Sequence, residues 1–441
     1  MKRARQRNPL GATRPHGANA RSLPRGGRSG PLYYGWVLVV ALAVTEATSW
    51  GVLYYAFTVF LTPMEHELKW SRTSISGAFS LAILLSGIVG LPLGRWLDRH
   101  GARLLMTTGS CVAVVLVLAW SAVDNLVALY LIWAGIGITM GAVLYEPAFF
   151  VVAAWFQRKR GRALGLLTFI AGFASVVFVP LSGWLVATQG WREALVSLAV
   201  ILAVVTIPLH ALVLRRHPAD LGLTVDGEPA SETPPDGQAP QESAITLRAA
   251  LGGATFWLLI GTFCLTTFTA GVVFVYLVPY LINRGFHASV AAGVVGLIGI
   301  AALPGRLALT FIDGRLRRAT VAACIFAIQT GAFVVLLLVP GVAGIFGFVV
   351  LFGAGYGAIT PTRAALVAEY YGPTHFGSIN GTGAFILNFS RGIAPVSAGV
   401  IYSLTGGYAA IFWGLGVLAA LATVTVILTE RQAICAGLAR A

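Results

Sequence analysis

Five ionisable residues stand deep inside apolar runs of this sequence, and their types limit what they can do. Glu46 lies in Ala43-Val44-Thr45-Glu46, Glu146 in Leu144-Tyr145-Glu146-Pro147, Arg306 in Pro304-Gly305-Arg306-Leu307, Arg363 in Pro361-Thr362-Arg363-Ala364 and Arg391 in Ser390-Arg391-Gly392. Ionisable groups in hydrocarbon are costly, and those that persist serve a pathway or a pairing. A guanidinium offers a planar fork that matches a carboxylate with two parallel hydrogen bonds. Burial and a nearby arginine push a carboxyl's protonation in opposite senses, which suits proton coupling. The candidate anion contacts are therefore Arg306, Arg391 and Arg363, and the candidate proton-coupling acids are Glu146 and Glu46. Tyr54, Tyr55, Tyr276 and Tyr280 are candidate hydrogen-bonding groups beside them. A plainer account pairs Arg306 with Glu46 or Glu146 to hold the structure together. Pro304-Gly305 is expected to loosen the helix before Arg306 and free carbonyl groups.

Composition says what must position these groups. Of 441 residues, 57% are hydrophobic and 10% charged; soluble domains carry about 25% charged residues. Such a chain cannot build a water-facing surface, so its partner is the lipid bilayer. The net charge of +14 sits in short segments between apolar runs, which is the pattern of membrane orientation, not of a nucleic-acid groove. The four cysteines have no metal or redox spacing, the histidines are scattered, and no Gly-Lys-Ser/Thr phosphate loop occurs. Neither a metal, a cofactor, a disulfide nor ATP-driven work is expected.

A helix crossing about 30 Å of hydrocarbon needs ~20 apolar residues. Twelve such runs are expected at roughly 33–62, 73–97, 103–123, 126–155, 160–186 and 192–214, then 250–282, 288–312, 318–339, 341–370, 376–404 and 408–429. Residues 1–31 read as a disordered basic tail, 32–215 as one six-helix bundle, 216–247 as a polar linker, 248–431 as a second bundle and 432–441 as a tail. Arginine and lysine crowd the loops around residues 95–103, 158–162, 215–216 and 315–318. That asymmetry places both termini and the linker in the cytoplasm, with a bacterial inner membrane as the expected location.

The halves echo one another. Gly161, Gly165 and Gly183 recur 216 residues later as Gly377, Gly381 and Gly399, and Gly90 and Asp98 recur 215 later as Gly305 and Asp313. Parallel six-helix repeats are a transporter signature: an all-α membrane protein of twelve helices in two pseudo-repeats, with a midplane cavity between them. Both inner acids fall in the first half and all three inner arginines in the second.

The loop after the second run, Gly94-Arg95-Trp96-Leu97-Asp98-Arg99-His100-Gly101-Ala102-Arg103, resembles the loop motif of the major facilitator superfamily. In that resemblance Gly94, Asp98, Arg99, Gly101, Arg103 and the echo Asp313 form a conformational motif. Asp98 caps or pairs near a helix end, while Arg99 and Arg103 bind helix C-termini or carboxylates across the half-domain, contacts that break during transport. Tyr34-Gly35-Trp36, Trp155-Phe156-Gln157-Arg158-Lys159-Arg160 and Gly305-Arg306-Leu307 are similar to stretches of the monocarboxylate transporter and bacterial oxalate/formate group. There the last of these holds the arginine that contacts the substrate carboxylate. Ala302 stands where the eukaryotic carriers have an aspartate. The arginine of drug/proton antiporters has no counterpart in 126–155, and Val179 replaces the Gly of their Gly-Pro pair before Pro180.

The expected activity is secondary active transport of a small organic anion, monocarboxylate-like, by alternating access with proton coupling or exchange. The expected molecule is not an enzyme, binds no nucleic acid and acts as a monomer. An exporter of a neutral or cationic compound, or a membrane sensor on the same fold, remains the alternative.

Overall fold

The structure is a computed structural model that describes residues 33–227, 245–312 and 316–438. Among these residues it is helical, without a β-sheet. Eleven helices are long and apolar enough to cross a membrane. In the first half they are α1 (Tyr34–Leu68), α2 (Ser74–His100), α3 (Ala102–Ser121), α4 (Leu126–Trp155), α5 (Arg160–Gln189) and α6 (Trp191–Val213). In the second half they are α7 (Ala254–Asn283), α9 (Arg318–Leu338), α10 (Gly341–Tyr371), α11 (Phe376–Thr405) and α12 (Ala409–Cys435). The remaining helix, α8 (Ala288–Ile312), is 25 residues long and carries a shorter apolar stretch, Gly293–Ala308. The runs read from the sequence coincide with these twelve helices; α1 and α12 extend furthest beyond their expected ends.

Lipid tails are as apolar as leucine, so helix association here depends on close packing and not on the hydrophobic effect. Small residues supply it. A methyl group at Gly137 of α4 would collide with the Ala82 carbonyl of α2, and one at Gly305 of α8 with the Ala354 carbonyl of α10. The Gly305 helix is not loosened: α8 runs unbroken through Pro304. Gly305 serves contact with α10 instead.

Three helices are interrupted. α1 contains a five-residue π-turn, Gly51–Tyr55. α4 stops at Val143 and restarts at Tyr145, with Leu144 in extended conformation. Pro147 explains that break, because its ring clashes with the carbonyl of residue 143 in a continuous helix. α5 breaks between Ala171 and Ala174, around Gly172. Two of these interruptions bear directly on the residues singled out above, and the third makes room for one of them.

The halves meet along α2 and α11. Methyl groups at Gly94, Gly377 or Gly381 would each strike backbone of the opposite helix. The two backbones therefore run in direct contact at the end that carries the Asp98 loop.

Candidate functional site

A cavity of about 240 Å³ lies between the halves. Trp50, Tyr54, Tyr55, Tyr145 and Glu146 line it from the first half, and Arg306, Tyr356, Arg363, Asn388 and Arg391 from the second. The π-turn of α1 delivers Tyr54 and Tyr55, and the restart of α4 delivers Tyr145 and Glu146. Helical irregularities of this kind concentrate at functional sites because they aim side chains that a regular helix would spread around its axis.

Glu146 and Arg363 form an ion pair of 2.8 Å across the halves. Arg363 also donates to Asn380 Oδ1 at 2.9 Å, and Asn380 Nδ2 donates to the second oxygen of Glu146. Arg363 is buried, and Glu146 keeps about a quarter of its side chain exposed towards the cavity. Glu146 also sits in the first turn of the second segment of α4, where the helix dipole favours a negative charge. By helical rise Arg363 is about 12 Å from the C-terminal end of α10, so this triad lies between the cavity and the Asp98 end.

Arg306 reaches across to α5. Its Nη1 donates to the Thr168 carbonyl at 3.0 Å, an oxygen that also accepts the Gly172 N–H at the break. A side chain at Gly172 would occupy the space of the Arg306 guanidinium. Arg391 is exposed to the cavity. Among the described residues neither Arg306 nor Arg391 forms an ion pair. The pairing of Arg306 with Glu46 or Glu146 considered from the sequence is thus not found: Glu146 is committed to Arg363. Glu46 is fully buried on α1, outside the cavity lining, and neither of its oxygens has a hydrogen-bond partner. The indole N–H of Trp50, one turn on and beside Glu46, also lacks one.

Asp98 accepts the backbone N–H groups of Gly377 and Ser378 at 2.8 and 2.9 Å, and the Ser378 hydroxyl as well. It thereby caps the first turn of α11, a helix of the other half, where orphan donors and the dipole both favour a carboxylate. Arg103 donates to the Ala211 carbonyl at 2.8 Å, near the C-terminal end of α6 in its own half. Arg99 is exposed at the same end. Gly101 has φ +77, and a side chain there would press on Arg216, whose Nη2 donates to the Asp98 carbonyl. Asp313 lies outside the described residues. Tyr280 packs at 4.4 Å on the Phe412 ring, and Tyr276 neighbours Tyr408 at 6.4 Å; both belong to an aromatic cluster of the second half, not to the cavity lining.

Some participants were not singled out from the sequence. Asn380, the third member of the Glu146 triad, is a polar residue in the Phe376–Thr405 helix and could have been weighed on that ground. Asp226 falls in the expected linker, yet it is buried and accepts the N–H groups of Gln157, Arg158 and Lys159 at 3.1, 2.7 and 3.1 Å. The Tyr33 hydroxyl bonds the Thr224 carbonyl at 3.0 Å beside it. Burial foremost, and then Asp226, push the Tyr33 phenol up to about 12. Across the halves Arg318 donates to the Gln157 carbonyl at 3.2 Å. The start of the linker is therefore tied to the 157–159 loop, which Arg318 of the other half also contacts.

A family model described as Major Facilitator Superfamily matches residues 40–348. The chain is 27% identical over 376 residues to the uncharacterised transporter YcxA of Bacillus subtilis (strain 168), covering 80% of this chain and 85% of that protein. It is 26% identical to monocarboxylate transporter 13 of Rattus norvegicus over 86% of this chain and 85% of that one. It is 29% identical to monocarboxylate transporter 11 of Mus musculus over 86% and 83%. Among solved structures, the transporter FucP in its outward conformation superposes with a TM-score of 0.66 at 15% identity, covering 90% of this chain and 99% of that one. The human organic anion transporter MFSD10 also reaches 0.66, at 14% identity, over 89% and 99%. Both likenesses establish the shared fold. With twelve helices in two halves, a cavity between them and a family match over most of its length, this chain belongs to the Major Facilitator Superfamily of membrane transporters.

Proposed function

We propose that this protein is a secondary active carrier of a small organic anion of the monocarboxylate kind. One observation carries the reading. The cavity holds three arginines, and its carboxylate is already paired with one of them, so Arg306 and Arg391 leave the cavity with uncompensated positive charge. Among the described residues neither guanidinium has a counter-ion, and an entering carboxylate supplies one through a charge-assisted bidentate contact. The monocarboxylate transporters among the relatives agree with this sign of substrate.

Alternating access follows from where the halves are tied. The Asp98 cap of α11, the glycine seam and the Glu146–Arg363 pair close one end. Release of a substrate to that end requires all three to open. Glu46, an acid wholly buried on α1, is the first candidate to carry a proton. Glu146 is the second, freed when Arg363 moves. On the arginine asymmetry of the loops, the closed end is cytoplasmic, as are both termini, and the membrane is the bacterial inner membrane.

Uptake of labelled acetate and pyruvate into proteoliposomes, with and without an inward proton gradient, tests the proposal. Saturable uptake that is lost in Arg306→Ala is expected. Unchanged uptake in that variant, or transport of cations in place of carboxylates, overturns it. For orientation, an impermeant thiol reagent on intact cells should fail to label Ala230→Cys in a cysteine-free background; strong labelling reverses the topology.

A further inference from the structure

We infer that the cavity is built for an aromatic carboxylate of single-ring size. This rests on the anion-carrier reading above and narrows it.

A short aliphatic acid needs a guanidinium and little else, yet this cavity has an aromatic wall. Trp50 lies 5.2 Å from Tyr54 and 5.2 Å from Tyr145, and Tyr54 lies 5.2 Å from Tyr55. All four rings line the cavity. Tyr54 and Tyr55 reach it from the π-turn of α1, Trp50 from the residue just before that turn, and Tyr145 from the restart of α4, so two irregularities on separate helices converge on one surface. Tyr356 of α10 faces the same space from the other half.

The arginines border this wall. Arg306 is an electrostatic neighbour of Tyr55 and Tyr145, and Arg391 of Tyr54. A carboxylate held by either guanidinium therefore places the rest of its molecule against rings. Aromatic pairs favour offset or edge-on contacts with centroids about 4.5–7 Å apart, and a planar ligand gains these contacts where a tetrahedral carbon chain does not. The phenol oxygens of Tyr54, Tyr55, Tyr145 and Tyr356 have no hydrogen-bond partner among the described residues, and can meet oxygen substituents on such a ring. Size sets the upper limit. Pockets for drug-sized ligands run about 300–1,000 Å³, and a cavity of about 240 Å³ suits one ring rather than a fused system.

The test uses the purified full chain in detergent and isothermal titration with benzoate, cyclohexanecarboxylate, acetate and glucuronate. Benzoate and cyclohexanecarboxylate have nearly the same size and charge, so their ratio isolates the ring. Benzoate is expected to bind roughly five-fold tighter or more, and Trp50→Leu should pull that ratio towards one. Equal affinities for the pair overturn the inference and leave the anion carrier standing. Tightest binding of glucuronate overturns it in favour of a sugar acid, since sugars also stack on aromatic faces. Absence of binding by all four carboxylates removes the anion reading itself, and this inference with it.

Discussion

Glu146 and Arg363 belong to opposite halves of the molecule and meet at 2.8 Å in the cavity wall, with Asn380 bonded to both. A pair of this kind is poor evidence of stability, since desolvation offsets much of the attraction, but removing one partner strands the other. Arg363→Ala is expected to cost up to about 3 kcal/mol, at the low end for buried pairs because Glu146 is partly exposed. Arg363→Lys keeps the charge and loses the fork that also serves Asn380, so it should fall between. Thermal unfolding in detergent ranks the three proteins; Arg363→Ala melting with the wild type would show that the pair contributes nothing.

Asp98 joins the halves by capping a helix it does not belong to. Asn in its place keeps one acceptor oxygen and removes the charge, weakening the closed end. Asp98→Asn should lower transport several-fold, the loss of roughly 1 kcal/mol expected when a partly buried negative charge leaves a helix N-terminus, while acetate affinity changes by no more than a few-fold. Wild-type transport in this variant would remove the capping contact from the cycle.

The α2–α11 seam admits no side chain at Gly94. Gly94→Ala would push against the Gly377 backbone, and backbone cannot yield as a side-chain tip can. The state closed at this end should become rarer. Cysteines introduced at Gly87 and Asn388, which touch across the cavity, should then cross-link less readily than in the Gly94 background; equal cross-linking would contradict the seam.

Arg306 is tested by its chemistry rather than its charge. Arg306→Lys retains a cation but loses bidentate geometry, and should bind acetate only weakly. Arg306→Ala should lose about 2–5 kcal/mol of anion binding while the protein stays monodisperse. Measured affinities that are equal in all three proteins would shift attention to Arg391.

Asp226 binds three backbone N–H groups ahead of α5. Asp226→Ala should destabilise the first half by about 1–2 kcal/mol, as loss of a helix cap does. A melting temperature unchanged by that substitution would mean the linker start is not tied down.

What the sequence determined by itself is what depends on local composition. Apolar runs of crossing length fix the helices, since backbone polar groups in lipid must be satisfied within their own segment. The glycine and aspartate echoes at 215 and 216 residues point to two halves, while the break before Glu146 emerged with the fold, Pro147 being its physical reason. The candidate arginines and acids were legible because a charge in an apolar run stands out. Which charge meets which was not legible. Glu146 and Arg363 are 217 residues apart, and any of three arginines satisfied the same arithmetic. The fold put the Arg306 guanidinium against Gly172, and Asp226 looked like linker until the loop at 157–159 closed over it. Tyr276 and Tyr280 share the chemistry of Tyr54 and Tyr55 but face another cluster. Side-chain type travels with the sequence, whereas the direction a side chain faces and the partner it finds across a helix interface are set when the two halves pack together.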